Sequence, residues 1–271
     1  MEVQVLIENT GPKGLACEHG LSLSIRYGGE HYLLDGGSSG AFLENGKKMG
    51  IDFRDVKAVV LSHGHYDHGG GLGAFLENYP GAAVYAMDSV RGRYYSGSGG
   101  ALHEISVPRE VWNCGGEFRF IRKHARIGDG VYLIPHTTPG LELVGERAGL
   151  YRGREGELVP DDFSHEMSLV FELAEGLVIF NSCSHSGLIP ILKEVRAALP
   201  GRPLLGFVGG LHMKGKKNGA EICTFSEEEI RKLVLDLGEQ GLGTVYTGHC
   251  TGEPGFVLLR KFLGERVKKL T

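Results

Sequence analysis

The chain reads as an α/β protein of two mixed β-sheets packed face to face with helices outside. Three observations predict this. Short runs rich in β-branched or aromatic residues, bounded by Gly, Pro, Asp or Asn, recur from Val3 to Thr247. Helical stretches fall between those runs, which suits sheet and helix layers around a shared core. At 271 residues the chain is long enough for one large domain with a substantial interior. Residues 1–271 are therefore expected to form a single domain.

The strand runs are Val3 to Glu8, Ser22 to Tyr27, Glu30 to Leu34, Ala58 to Leu61 and Ala83 to Met87. Val131 to Ile134, Ser168 to Leu173, Leu177 to Asn181, Leu204 to Val208 and Thr244 to Thr247 follow. Gly28-Gly29 makes Glu30 to Leu34 the return arm of a hairpin. Helices are expected over Ala41 to Met49, Gly71 to Glu77, Leu188 to Leu199, Ser226 to Leu237 and Gly255 to Lys269. Ser226 and Glu229 have capping-box spacing. Basic residues at the end of the last stretch suit a helix dipole. The span of about 88–164 is less regular and lid-like. Within it, Ser96 to Gly100 reads as a flexible loop and Gly145 to Pro160 as a surface hairpin or loop.

Bulk properties narrow the function. The chain is 41% apolar and 23% charged, ordinary for a soluble globular protein. A net charge of −4 gives no push toward nucleic acid or anionic membrane. No apolar run approaches the roughly 18 residues a span needs. Met1 to Leu6 has a strand pattern and not that of a secretion signal. The five cysteines are odd in number and widely spaced, so free thiols in a reducing cytoplasm are expected.

The chemistry concentrates in Ser62-His63-Gly64-His65-Tyr66-Asp67-His68-Gly69-Gly70-Gly71. Three histidines and an aspartate fall within six positions directly after an apolar run. Imidazole and carboxylate together suit a borderline divalent ion such as zinc, with iron or manganese also admitted. Leaving a strand still extended, His63 and His65 would point the same way. Asp67 and His68 would follow on the next turn. One ion could not easily use all four, whereas two adjacent ions could.

His63-x-His65-x-Asp67-His68 resembles the signature of the metallo-β-lactamase-fold superfamily. Leu34-Asp35-Gly36-Gly37 resembles its early aspartate, and Thr247-Gly248-His249-Cys250 its late Gly-His. Glu18-His19-Gly20-Leu21-Ser22, Asn181 to Gly187, Phe207 to His212 and Thr247 to Gly252 resemble one subfamily. That subfamily includes the dihydropterin-ribofuranosylaminobenzene-phosphate synthase of methanopterin biosynthesis. The resemblance implies a four-layer αβ/βα sandwich with a metal site along one edge.

It also implies a ligand set. One ion would take His63, His65 and His185; the other would take Asp67, His68 and His249. Many members carry a bridging aspartate where this chain has Cys183. Cys183 itself, Asp161, Asp162 or Glu166 could substitute. Asp35 would orient a ligand histidine. His212 would contact substrate or donate a proton, His19 would contact substrate, and Lys214 would reinforce an anion. Arg91, Arg93, Tyr94 and Tyr95 could grip a ligand. His31, His103, His124, His136 and His165 have no supporting context.

The function expected is a dinuclear metalloenzyme acting on an anionic small molecule, phosphorylated or diphosphorylated. Metal-activated hydroxide would attack, or the ions would assist a departing diphosphate as in a synthase-like transferase. Other readings are a phosphodiesterase, a thioester hydrolase, a redox di-iron enzyme and a non-catalytic metal or ligand sensor.

Overall fold

A computed structural model describes residues 1–97 and 100–271. Two residues of the expected 96–100 loop, Ser98 and Gly99, lie outside the described residues. The chain divides into two compact units: 1–123 with 139–167 and Thr271, and 124–138 with 168–270.

The first unit is built on a six-stranded sheet. Its strands run in the order Glu2–Ile7, Ser22–Tyr27, Glu30–Leu34, Val56–Val60, Ala83–Met87 and Glu117–Ile121. The first three pair antiparallel, joined by the Gly28-Gly29 turn between the second and third. The rest add in parallel. Leu23, Ile25, Leu33, Val59 and Val60 are all buried. Helices Ala41–Lys48 and Leu72–Asn78 pack through Phe42 and Phe75, ring centroids 6.5 Å apart, and Phe53 from the turn before Val56 meets Phe42 edge-to-face at 5.9 Å. Such a contact adds about 1 kcal/mol to the area buried. Buried Asn45 donates to Leu6 O at 2.7 Å and to Ala16 O at 2.9 Å, and accepts from Ala16 N at 2.8 Å. One side chain thus ties the 8–21 loop to helix and sheet.

The 88–164 stretch carries more regular structure than expected. Helix Glu142–Ala148 leads into a hairpin of Leu150–Arg154 and Glu157–Pro160. That hairpin extends through Tyr94–Ser96 to His103–Glu104 as a four-stranded sheet. Strands this short and this exposed have no apolar alternation to announce them.

The second unit is built on a seven-stranded sheet. Its order is Val267–Lys269, Thr244–Thr247, Leu204–Val208, Gly176–Phe180, Met167–Leu173, Val131–Pro135 and Ala125–Gly128. The strands from 176, 204, 244 and 267 are parallel, so their carboxyl ends share one edge. Helices Leu188–Ala198, Glu227–Glu239 and Gly252–Leu263 bury Leu192, Val195, Ile230 and Leu259 against Ile179, Phe207 and Val245. The capping box forms: Ser226 Oγ accepts from Glu229 N at 3.2 Å, and Glu229 Oε2 accepts from Ser226 N at 2.8 Å. Such a cap stabilises by about 1 kcal/mol.

The last helix departs from expectation. It stops at Leu263, Gly264 turns the chain with φ 57°, and Val267–Lys269 joins the sheet beside Thr244–Thr247. Val267 is buried between exposed neighbours, a pattern too short to compete with the helical reading. Lys214–Lys217 is a strand paired antiparallel with Ala220–Cys223. Among the described residues no cysteine is in a disulfide. Among the described residues no helix is long and apolar enough to cross a membrane.

Candidate metal centre

Four of the six expected ligands come from one loop of the first unit. The chain leaves Val60 extended, and His63 and His65 bring their rings within 4.6 Å. The short helix Tyr66–Gly69 then turns His68 back, its ring 4.2 Å from that of His63. His63, His65, Asp67 and His68 are all buried. The turn requires close backbone approach, since a Cβ on Gly71 would lie 2.0 Å from Gly36 O.

Asp35 organises the loop. It sits at the end of Glu30–Leu34 with φ 59°, fully buried. Its Oδ1 accepts from Ser62 N at 2.7 Å, and its Oδ2 lies 2.7 Å from Ser62 Oγ and 2.7 Å from His68 Nδ1. A carboxylate only accepts, so Ser62 Oγ and His68 Nδ1 both donate to it. Ser62 Oγ, its proton committed, accepts from His63 Nδ1 at 2.8 Å. Both rings therefore carry the proton on Nδ1 and the lone pair on Nε2. This is the tautomer that leaves Nε2 available to a metal, fixed by the carboxylate behind it.

A second carboxylate–imidazole pair supports the same loop. His165 Nδ1 accepts from Gly64 N at 2.9 Å, which puts the ring proton on Nε2. That proton faces Asp161 Oδ2 at 3.0 Å. With both nitrogens engaged, His165 has no lone pair left for an ion, although His65, Asp161 and His165 place ligand atoms close together. His165 instead packs against His65, ring centroids 5.3 Å apart. Burial, then the neighbouring His165, pushes His65 down to about 3, so its imidazole is neutral and ready to ligate at pH 7. The sequence offered no signal for His165 beyond Asp161 four residues earlier.

The subfamily-like segment at 18–22 closes over this loop. Leu21 N donates to Asp67 O at 3.2 Å, and His19 Nε2 lies 3.3 Å from Asp67 Oδ2. The His19 side chain is 52% exposed, which leaves it accessible to a ligand. Glu18 accepts from Ser38 N at 2.9 Å and Ser39 N at 3.0 Å, holding the loop after Asp35.

The second unit supplies its own set from three strand ends. Cys183 and His185 follow Gly176–Phe180, His212 follows Leu204–Val208, and His249 follows Thr244–Thr247. Gly209 makes their approach feasible, because its Cβ would lie 1.8 Å from Asn181 O at φ 146°. Ser184 Oγ donates to Gly210 O at 2.8 Å, and Met213 N to Cys250 O at 3.0 Å. The rings of His185 and His212 are 4.3 Å apart. His212 N donates to Cys250 Sγ at 3.3 Å. Burial pushes the Cys250 thiol up. Hydrogen bonds with Cys183 and His212, and the nearby His249, outweigh it and hold the thiol well below its usual range. Ser184, His212 and His249 all have left-handed backbone, at φ 52°, 47° and 49°. Lys214 starts the next hairpin, with Nζ 3.1 Å from Glu221 Oε2.

The α/β fold, the His-x-His-x-Asp-His loop and its buried aspartate define a hydrolase-like scaffold with groups of side chains that could hold a metal ion. Residues 17–176 match the metallo-beta-lactamase superfamily, and the chain belongs to that superfamily. A 7,8-dihydropterin-6-methyl-4-(beta-D-ribofuranosyl)-aminobenzene-5'-phosphate synthase from Methanocaldococcus jannaschii is 25% identical over 219 residues, 78% of this chain and 71% of the relative. An uncharacterized protein from the same archaeon is 25% identical over 256 residues, 92% of this chain and 90% of the relative. A crystal structure of a metal-dependent hydrolase of the beta-lactamase superfamily superposes with a TM-score of 0.80. It is 29% identical, covering 99% of this chain and 95% of that one.

Proposed function

We propose that this chain is a dinuclear metalloenzyme acting on a phosphorylated or diphosphorylated small molecule. His63, His65 and His185 hold one divalent ion; Asp67, His68 and His249 hold the other. The carrying observation is the Asp35 network, which sets the lone pairs of His63 and His68 on Nε2. A purely structural histidine pair has no need of a fixed metal-binding tautomer. The ions, most simply zinc, would supply positive charge and lower the pKa of water toward neutrality when bound.

Cys183 takes the place of the missing bridging aspartate. Two of the carboxylates that could substitute are committed elsewhere: Asp161 to His165 and Phe163 N, and Asp162 to Arg152 at 2.6 Å. Cys183 is buried, directly ahead of His185, and its thiol interacts with Cys250. With Asp67 the only carboxylate among the ligands, the centre keeps positive charge for an anionic substrate.

His212 and His19 serve the substrate. His212, its ring 4.3 Å from that of His185, would donate a proton to a leaving oxygen. His19 meets the ligand from the rim of the Asp67 loop. Lys214 contributes only when it exchanges its Glu221 partner. The likeness to the archaeal synthase supports a second reading, transfer with departure of a diphosphate in place of hydrolysis.

The test is elemental analysis of purified protein, with turnover measured on a panel of phosphomonoesters, phosphodiesters and diphosphates. Bound metal with turnover on that panel supports the enzyme. Full metal occupancy with no turnover on any member supports a sensor and overturns the catalytic reading.

A further inference from the structure

A groove of about 850 Å³ lies wholly within the first unit. Its walls carry Arg91, Arg93, Arg122, Arg152 and Arg154. Arg91 and Arg122 share one carboxylate, Asp88, at 3.1 and 2.5 Å. Arg93 pairs with Glu104 at 2.7 Å and Arg152 with Asp162 at 2.6 Å. Arg154 has no ion-pair partner among the described residues. Three carboxylates thus answer five guanidinium groups, and two positive charges remain. Arg152 Nε is buried without a hydrogen-bond partner among the described residues, although its terminal nitrogens reach Ser164 and Asp162.

We propose that this groove binds the phosphate of an organic phosphomonoester, independently of the histidine loop. A phosphomonoester carries about −1.5 to −2 charge at neutral pH, which matches the surplus. Its oxygens suit the planar fork of arginine, and the backbone of Gly92 and Gly153 gives close access. Ile121, with Met87 and Tyr94 in the floor, gives the groove apolar lining for the organic part. The volume fits a small ligand and not a nucleic-acid duplex. Tyr94 is also the groove's contact with the chemistry: its ring lies 4.0 Å from His165 and 5.9 Å from His65. A ligand here therefore presses on the support of a metal-binding side chain.

Calorimetric titration of the metal-loaded protein with phenyl phosphate tests this. The double variant Arg91→Gln/Arg154→Gln should bind at least about tenfold more weakly, with metal content and melting temperature unchanged. His68→Ala separates two sources of the same phosphate chemistry. Unchanged affinity in that variant marks an independent ligand. Weakening in both variants marks the far phosphate of a substrate anchored at the histidine loop, and the groove stands while its independence falls. Wild-type affinity in the arginine variant overturns the proposal. So does binding of a short RNA with no binding of phenyl phosphate.

Discussion

Asp35 Oδ2 and His68 Nδ1 lie 2.7 Å apart with both side chains fully buried. The same oxygen accepts from Ser62, so one carboxylate fixes two ring tautomers at once. Asp35→Asn keeps the volume but turns an acceptor into a donor facing donors. Metal affinity should fall about 10- to 100-fold, read by chelator competition. Unchanged affinity would show that the loop sets its tautomers without Asp35.

Asp161→Asn acts one layer further out. The amide can accept from only one of the two donors that Asp161 Oδ2 and Oδ1 now serve, His165 Nε2 and Phe163 N. The buried donor left behind should cost about 1–3 kcal/mol in urea unfolding. Metal stoichiometry should stay near wild type, because Asp161 supports the 63–68 loop without belonging to it.

His65→Ala and Asp67→Ala should lose bound metal and all turnover while keeping the far-UV circular dichroism of the native chain. Cys183→Ser gives a finer readout. The cobalt-loaded protein should show a thiolate-to-metal charge-transfer band that the serine variant lacks. A band that survives the substitution assigns the thiolate elsewhere.

Glu194 gives a pH dependence away from the proposed metal ligands. Burial pushes its carboxyl up, but His136, Thr137 N and Thr138 outweigh it and hold it below the usual value of 4.5. A depressed carboxylate stabilises fully above its unfolded value and loses that contribution as pH falls through the folded one. The urea midpoint should therefore drop below about pH 4.5, and Glu194→Gln should flatten that drop. Parallel profiles for the two proteins would remove Glu194 from the acid response.

Much of this arrangement was legible in the residues. Ser22–Tyr27, Glu30–Leu34 and Ala83–Met87 have clear strand composition and stops, and they form as read. The spacing from His63 to His68 gave neighbouring rings because extended chain followed by one helical turn leaves few alternatives. What stayed hidden is long-range or conformational. His165 acquires meaning only through Gly64, 101 residues away. The Val267–Lys269 strand depends on a neighbouring strand to pair with. Arg91 and Arg93 stood out in the sequence as possible ligand contacts, but the groove forms only where the fold sets them beside Arg122, Arg152 and Arg154.

His212 and His249 occupy backbone that favours glycine or asparagine, each exit costing about 1 kcal/mol or more. In the metal-free protein, glycine at either position should melt higher than alanine at the same position, because it relieves that backbone cost. The scaffold therefore has thermal robustness in reserve that it forgoes at these two corners, and stability-driven redesign would erase them first.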